Sequence, residues 1–336
     1  MFRFFVTLKK MSYSKIIFLF LSLIITFGCN PGKSEQNQKN LSSESKIELS
    51  GNFAISGAYA LYPLVRKWAD DFMKIHPAVT ITVAEGGTGQ GIDDLISKKI
   101  QIAMISRSLT DEDVAEGVWS IPVAKDGVAA ITNQKNQYLK RLLDRGLSPD
   151  EFLRIFTGIK PVKWGELLDT NGKEKVQVFI REDASGAADV FAHFLNKEST
   201  DLKGTKVTGD EEIIKSIQDN PLGIGFCNFS SAFDAATGER RKDIQVIPAD
   251  LDYDNKIDTK EIPFSNLDKA HRGLWLGLYP KSLCRQLLIG TLGKPASPAV
   301  VEFLKYILTE GQKDVKILGL CELNDVYIEY SLDKLK

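Results

Sequence analysis

Histidine is scarce, three residues in 336. None of His76, His193 and His271 lies in a motif beside Ser56, Ser106 or Ser185, so a hydrolase built on a serine and its histidine base has no visible machinery. Cysteine is nearly as rare, four residues, and none stands at metal-ligand spacing with a histidine. No Gly-Lys-Ser/Thr follows the glycine-rich turn at 86–91, which excludes a Walker-type nucleotide loop. Neither charge is in excess. With 43 basic against 44 acidic side chains there is no basic field for nucleic acid. The chain reads as a binder rather than an enzyme.

At the N-terminus Lys9, Lys10 and Lys15 bracket the entry to an apolar run, 16–25, that is too short for a normal transmembrane helix. The run ends at Thr26-Phe27-Gly28-Cys29. This is similar to a bacterial lipoprotein signal over 1–29, in which Cys29 is lipidated after cleavage; a plain secretory signal is the other reading. Residues 30–50 are rich in Ser, Asn, Gln and Lys without apolar periodicity, the composition of a flexible tether. Together they place the body outside the cytoplasm, anchored to a membrane by lipid. In the body, Cys227, Cys284 and Cys321 are an odd set; they read as buried free thiols, with Cys284 and Cys321 the candidate pair should a disulfide form.

The body itself alternates strand and helix. Residues 52–56 form a short apolar run before a small-residue turn, and Leu61, Leu64, Val65, Trp68, Phe72 and Ile75 follow at helical spacing. The run 79–83 leads into Gly86-Gly87-Thr88-Gly89-Gln90-Gly91, and 100–105 into Ser106-Arg107-Ser108. Three successive βα turns thus carry glycine or small hydroxyls at the carboxyl end of a strand, where open α/β sheets bind ligands. Residues 118–123 and 127–132 read as two strands, with a first crossing between lobes at 133–136, and 271–279 as a long strand making the second crossing.

One βα turn stands out. The run 176–180 ends at Arg181, and Glu182-Asp183-Ala184-Ser185-Gly186-Ala187 leads into a helix carrying Val190, Phe191, Phe194 and Leu195. Strand, tight loop and helix aim backbone N–H groups and the positive end of a helix dipole at one point. An arginine and a serine suit that point to a tetrahedral oxyanion.

The segment 250–261 has oxygen-bearing side chains at places 1, 3, 5, 9 and 12 of a twelve-residue loop: Asp250, Asp252, Asp254, Asp258 and Glu261. Lys256 holds the seventh place, where a calcium loop uses a backbone carbonyl, and Asn255 the sixth, where glycine is usual. Calcium binding and an acidic surface turn are both open here; no other cofactor is implied.

With these pieces in order, the chain resembles the phosphate-binding subunit (PstS-like) of ABC-type phosphate importers, over nearly all of 51–320. The resemblance rests on Ser56-Gly57 with 61–64, on 86–91, on Ile105-Ser106-Arg107, on 155–158 with Trp164, and on 181–186. It implies a two-lobed α/β protein of the type II periplasmic binding protein fold. Each lobe would be a central mixed sheet flanked by helices, and two crossing hinge strands would join them. Lobe 1 is then 51–132 with 280–336, and lobe 2 is 133–279. It implies inorganic phosphate held between the lobes and passed by a monomer to a membrane permease. Carried over by position, the anion ligands are Ala58, Tyr59, Thr88, Arg107, Arg181, Ser185, Gly186 and Ala187. Ala187 stands where the family has threonine, and Arg107 where some members have a carboxylate. The alternative is a surface-tethered sensor or adhesin-like protein of the same fold with altered oxyanion specificity.

Overall fold

The computed structural model describes residues 48–183, 185–258 and 265–336. The leader, Cys29, most of the tether and Glu261 lie outside the described residues. Among the described residues eight strands form one continuous path of pairing, β2-β1-β3-β9-β4-β7-β5-β6, and a ninth, β8, pairs with β4 off that path. They are β1 (Gly51–Gly57), β2 (Val79–Glu85), β3 (Ile102–Ile105), β4 (Val118–Asn133), β5 (Gln177–Arg181), β6 (Thr205–Val207), β7 (Gly223–Asn228), β8 (Ile244–Val246) and β9 (Cys284–Leu292). β1 runs parallel to β2 and β3, and β5 parallel to β6 and β7, while β9 and β4 pair antiparallel. This is the mixed α/β architecture of the type II periplasmic binding protein fold.

β4 is the strand that joins the two halves. Its first part pairs with β9 from Val118↔Leu292 to Gly127↔Cys284, and its last part pairs with β7 and β8. The register slips between Pro122 and Ala124, a bulge that bends the strand as it leaves one sheet for the other. The two short strands expected at 118–132 are therefore one, and the crossing lies inside it rather than at 133–136. The expected strand at 271–279 is also corrected. It belongs to the helix Leu267–Leu276, capped by the Asn266 side chain and closed by Gly277 at φ 67°. Its buried residues Leu267, Ala270, Gly273 and Leu274 recur at helical spacing.

The apolar residues sort by half. Around β1–β3 and β9, the helix Tyr62–Ile75 buries Leu64, Val65, Trp68, Ala69 and Phe72, spaced to cover one face. Trp68 donates its indole N–H to the Gly311 carbonyl, 2.7 Å, satisfying its polar end in the core. In the other half Phe156, Phe191 and Phe226 meet ring to ring, with centroids 4.8 and 4.6 Å apart. Among the described residues the buried apolar side chains pack in four clusters: around Trp68 and Phe303 and around Ile92 and Ile105 in the first half, around Phe156 and Phe191 and around Ile213 and Phe229 in the other. Cys227, Cys284 and Cys321 are free thiols. Among the described residues no helix is long and apolar enough to cross a membrane.

Candidate anion cleft

The carboxyl ends of β1 and β3 face the start of the helix Gly186–Phe194, which follows β5. Between them is a small cleft lined from one side by Ala58, Tyr59, Gly87, Thr88 and Ser106 and from the other by Arg181, Ser185, Gly186, Ala187 and Asn228. Arg285, from β9, closes its floor.

On the first side, Gly87 caps the helix Thr88–Ile96 without a side chain, leaving first-turn N–H groups of that helix for a ligand. Thr88 Oγ1 accepts the Ser106 N–H at 3.0 Å and lies 3.0 Å from Ser106 Oγ. Whichever hydroxyl donates to the other, the second keeps a proton for an anion. Gly91 lets this helix sit on β1, since a Cβ there would be 2.6 Å from Gly57 Cα.

On the second side, Ser185 is the N-cap. Its Oγ accepts the N–H groups of Ala187 and Ala188 at 3.2 and 3.3 Å. With the oxygen so used, its own proton is left available to donate. Arg181 is buried and its three nitrogens are all engaged: Nε and Nη2 on Asp183, Nη1 on Asp210. Burial would lower its pKa, but the two carboxylates outweigh that and raise it. Its guanidinium also lies 5.5 Å from the Tyr59 ring centroid, a cation–π contact across the cleft. Burial, together with Asp183 and Glu85, pushes the Tyr59 hydroxyl up in turn.

The sequence-predicted set is largely gathered here, with two qualifications. The Ala58 N–H is donated to the Met104 carbonyl at 2.9 Å, and the Ala187 N–H to Ser185, so neither backbone group is free for an anion in this conformation. Arg107 does not line the cleft. It pairs with Asp113, donates to the Ser108 carbonyl at 2.9 Å and comes within 3.7 Å of Asp189 on the facing helix. Ser56 also turns away, to Asp94 at 3.1 Å.

Sequence reasoning missed Arg285 and Asn228. Arg285 donates to the Ser106 carbonyl at 2.8 Å and to Asn228 Oδ1, and its Nε is buried without a partner among the described residues. Asp126 Oδ2 is 3.9 Å away. Burial lowers the Arg285 pKa, with Asp126 acting against it; an arginine stays charged regardless. Asn228 is fixed in turn by Asp210, which accepts from its backbone and side-chain nitrogens at 3.2 and 2.6 Å. An arginine inside the apolar run Leu283–Ile289 was the available signal, since such a charge is buried only for a partner. The cleft therefore holds two guanidinium groups, two free hydroxyl protons and two helix N-termini: a receptor for a small oxyanion. Its two guanidinium groups are set against three carboxylates, Asp183, Asp210 and the buried Asp126.

The calcium-loop residues are placed away from this cleft. Asp250 is buried, Asp252 and Asp254 are exposed, and one oxygen from each lies within 4.8 Å of the others. Lys256 donates its backbone N–H to Asp254 Oδ1 at 2.8 Å.

A family model described as a PBP superfamily domain matches residues 42–310. The phosphate-binding protein PstS of Bacillus subtilis is 29% identical over 227 residues, which is 66% of this chain and 72% of that protein. Its counterpart from Staphylococcus haemolyticus is 25% identical over 230 residues, 66% of this chain and 68% of that protein. Among solved structures, a Clostridium perfringens protein described as a phosphate ABC transporter substrate-binding protein, with phosphate bound, superposes with a TM-score of 0.64. It is 23% identical and covers 82% of this chain and 100% of its own. An ABC-type phosphate transport receptor from Vibrio cholerae gives 0.61 at 21% identity, covering 81% and 100%. At these identities the two structures speak for the fold.

Proposed function

The chain belongs to the PBP superfamily, and from that premise we propose that it captures inorganic phosphate between its two halves and delivers it to an ABC importer permease. The observation that carries this reading is the pairing across the cleft. Thr88 at a helix start and Ser106 at a strand end of one half face Ser185 and Gly186 at a helix start of the other, with Arg181 and Arg285 beside them. The relatives' names point to the same ligand. Two halves that each present half of a donor set bind by hinge closure at β4, which buries the anion away from water.

Calorimetric titration with phosphate tests this directly. Saturable binding at micromolar concentration or tighter is expected; a folded protein that shows none sinks the proposal. Anchoring to a membrane on its extracytoplasmic side through lipidated Cys29, by a monomer, completes it. Mass analysis of the mature protein tests the anchor: an N-terminal diacylglyceryl cysteine is expected, and an unmodified chain cleaved elsewhere contradicts it.

One observation favours a variant reading in which selectivity is broad. Both guanidiniums in the cleft are already matched by Asp183, Asp210 and Asp126, and Arg107 stands where some members have a carboxylate that accepts the phosphate proton. A carboxylate acceptor rejects sulfate by leaving its own charge unpaired. In this reading the cleft offers the anion hydroxyl groups that can donate to sulfate as well as to phosphate, and sulfate competes measurably with phosphate in a displacement titration.

A further inference from the structure

We propose that Asp250, Asp252 and Asp254 form a calcium site, separate from the anion cleft and independent of its ligand. One carboxylate oxygen from each of the three lies within 4.8 Å of the others. Oxygens bound to a calcium ion at about 2.3–2.6 Å can be no more than roughly 5 Å apart. The three are therefore already gathered to the span that one ion bridges.

The second observation is Asp250 itself. It is 1% exposed, its Oδ2 accepts the Asn255 N–H at 3.1 Å, and its Oδ1 is buried with no hydrogen-bond partner among the described residues. None of the three carboxylates is ion-paired to a lysine or arginine among the described residues. A buried carboxylate oxygen with no donor is costly, and two further carboxylates close by add repulsion. A divalent cation removes both costs at once. An all-oxygen, carboxylate-rich set with no nitrogen or sulfur favours a hard cation over zinc or copper. The irregular loop suits calcium better than the strict octahedron of magnesium.

The backbone agrees with that reading. Asn255, at the sixth place, has φ 62°, the left-handed turn that glycine usually supplies in such loops. The loop is held to the rest of its half at both ends. Asp250 N–H donates to the Leu147 carbonyl at 3.0 Å, and Ile257 N–H to the Asp144 carbonyl at 3.3 Å. Ile257 also packs over Gly146, where a Cβ would be 2.5 Å from its Cδ1. An ion here staples the loop onto the turn between the helices Leu139–Arg145 and Pro149–Thr157, so its effect is on stability.

The test uses the full soluble body, stripped with a chelator and kept free of phosphate. Calcium is titrated by calorimetry, and terbium by luminescence sensitised through Tyr253, which sits inside the loop. Saturable binding with Kd between about 10⁻⁵ and 10⁻³ M is expected, with a melting temperature raised by roughly 2–4 °C at tenfold excess. Asp252→Asn with Asp254→Asn, both exposed positions, should weaken calcium at least tenfold, leave phosphate affinity as it was, and leave the metal-free melting temperature at or slightly above that of wild type, since the repulsion among the three carboxylates is relieved. No saturable signal up to about 10 mM calcium would overturn the proposal. So would a calcium effect that survives in the double variant, or an equal effect from magnesium at the same concentration.

Discussion

Gly186 lies so close to Ser106 that a Cβ added to it would stand 2.2 Å from the Ser106 hydroxyl and 2.7 Å from its carbonyl oxygen. These residues come from opposite sides of the cleft, so the absence of a side chain at 186 is what lets the halves meet. Gly186→Ala should hold them apart and lower phosphate affinity by about 10- to 100-fold. Its melting temperature should stay near wild type, because alanine is a better helix former than glycine by about 0.5–1 kcal/mol. Calorimetry beside a thermal melt separates the two. Unchanged affinity would mean that closure does not use this contact.

Arg285 joins both sides from the floor, through the Ser106 carbonyl and Asn228, and faces Asp126 at 3.9 Å. Arg285→Met leaves Asp126 buried without its countercharge and should cost about 3–5 kcal/mol of stability. Arg285→Met combined with Asp126→Asn should recover a good part of that, because neither charge then remains. A double-mutant cycle measured by chemical denaturation gives the coupling directly. Additive losses would show that the pair does not act as a unit.

Arg107 is placed to latch rather than to ligate. It is held by Asp113 beside it and approaches Asp189 of the facing helix at 3.7 Å. A partly exposed pair of this kind contributes about 0.2–1 kcal/mol, so Asp189→Asn should weaken phosphate binding by no more than about fivefold, and less at high salt. Removal of Arg181 should cost far more, since its guanidinium is among the charges that line the cleft. An Asp189→Asn loss as large as that of an Arg181 variant would return Arg107 and its partner to the anion's first contacts.

What was legible beforehand depended on how locally each feature is encoded. The turn at 181–187 could be read because strand, cap and helix follow one another in the chain, and Ser185 does cap its helix. Arg285 could not, because Ser106 and Asn228 lie 179 and 57 residues away in sequence. The break seen within 118–132 came from Lys125-Asp126, a polar pair that interrupts an apolar run. In the fold Asp126 is 1% exposed, buried where one strand changes sheets. The misread at 271–279 came from the alternation of Leu274, Leu276 and Leu278, which suggests a strand. The signals that decide for a helix are Asn266, an N-cap upstream of that alternation, and Gly277, a terminator that ends the helix within it.

Asp126 also makes the joint sensitive to pH. It accepts the Gly127 N–H at 2.8 Å and the Ser230 hydroxyl at 2.9 Å. Burial dominates these bonds and the pull of Arg285, lifting its pKa from 3.8 to about 6. A carboxyl whose folded pKa lies above its unfolded value binds its proton more tightly when folded, so it favours the folded state while protonated. That contribution is full below the unfolded value and is lost as pH rises through about 6. Asp126→Asn has no such proton to lose. Whatever constant cost the substitution carries, the unfolding free energy of the variant minus that of wild type should grow by roughly 2 kcal/mol between pH 4 and pH 7. Denaturant titrations at several pH values measure that difference. A flat difference would mean that Asp126 titrates at its ordinary value, and a falling one that Arg285 rather than burial governs it.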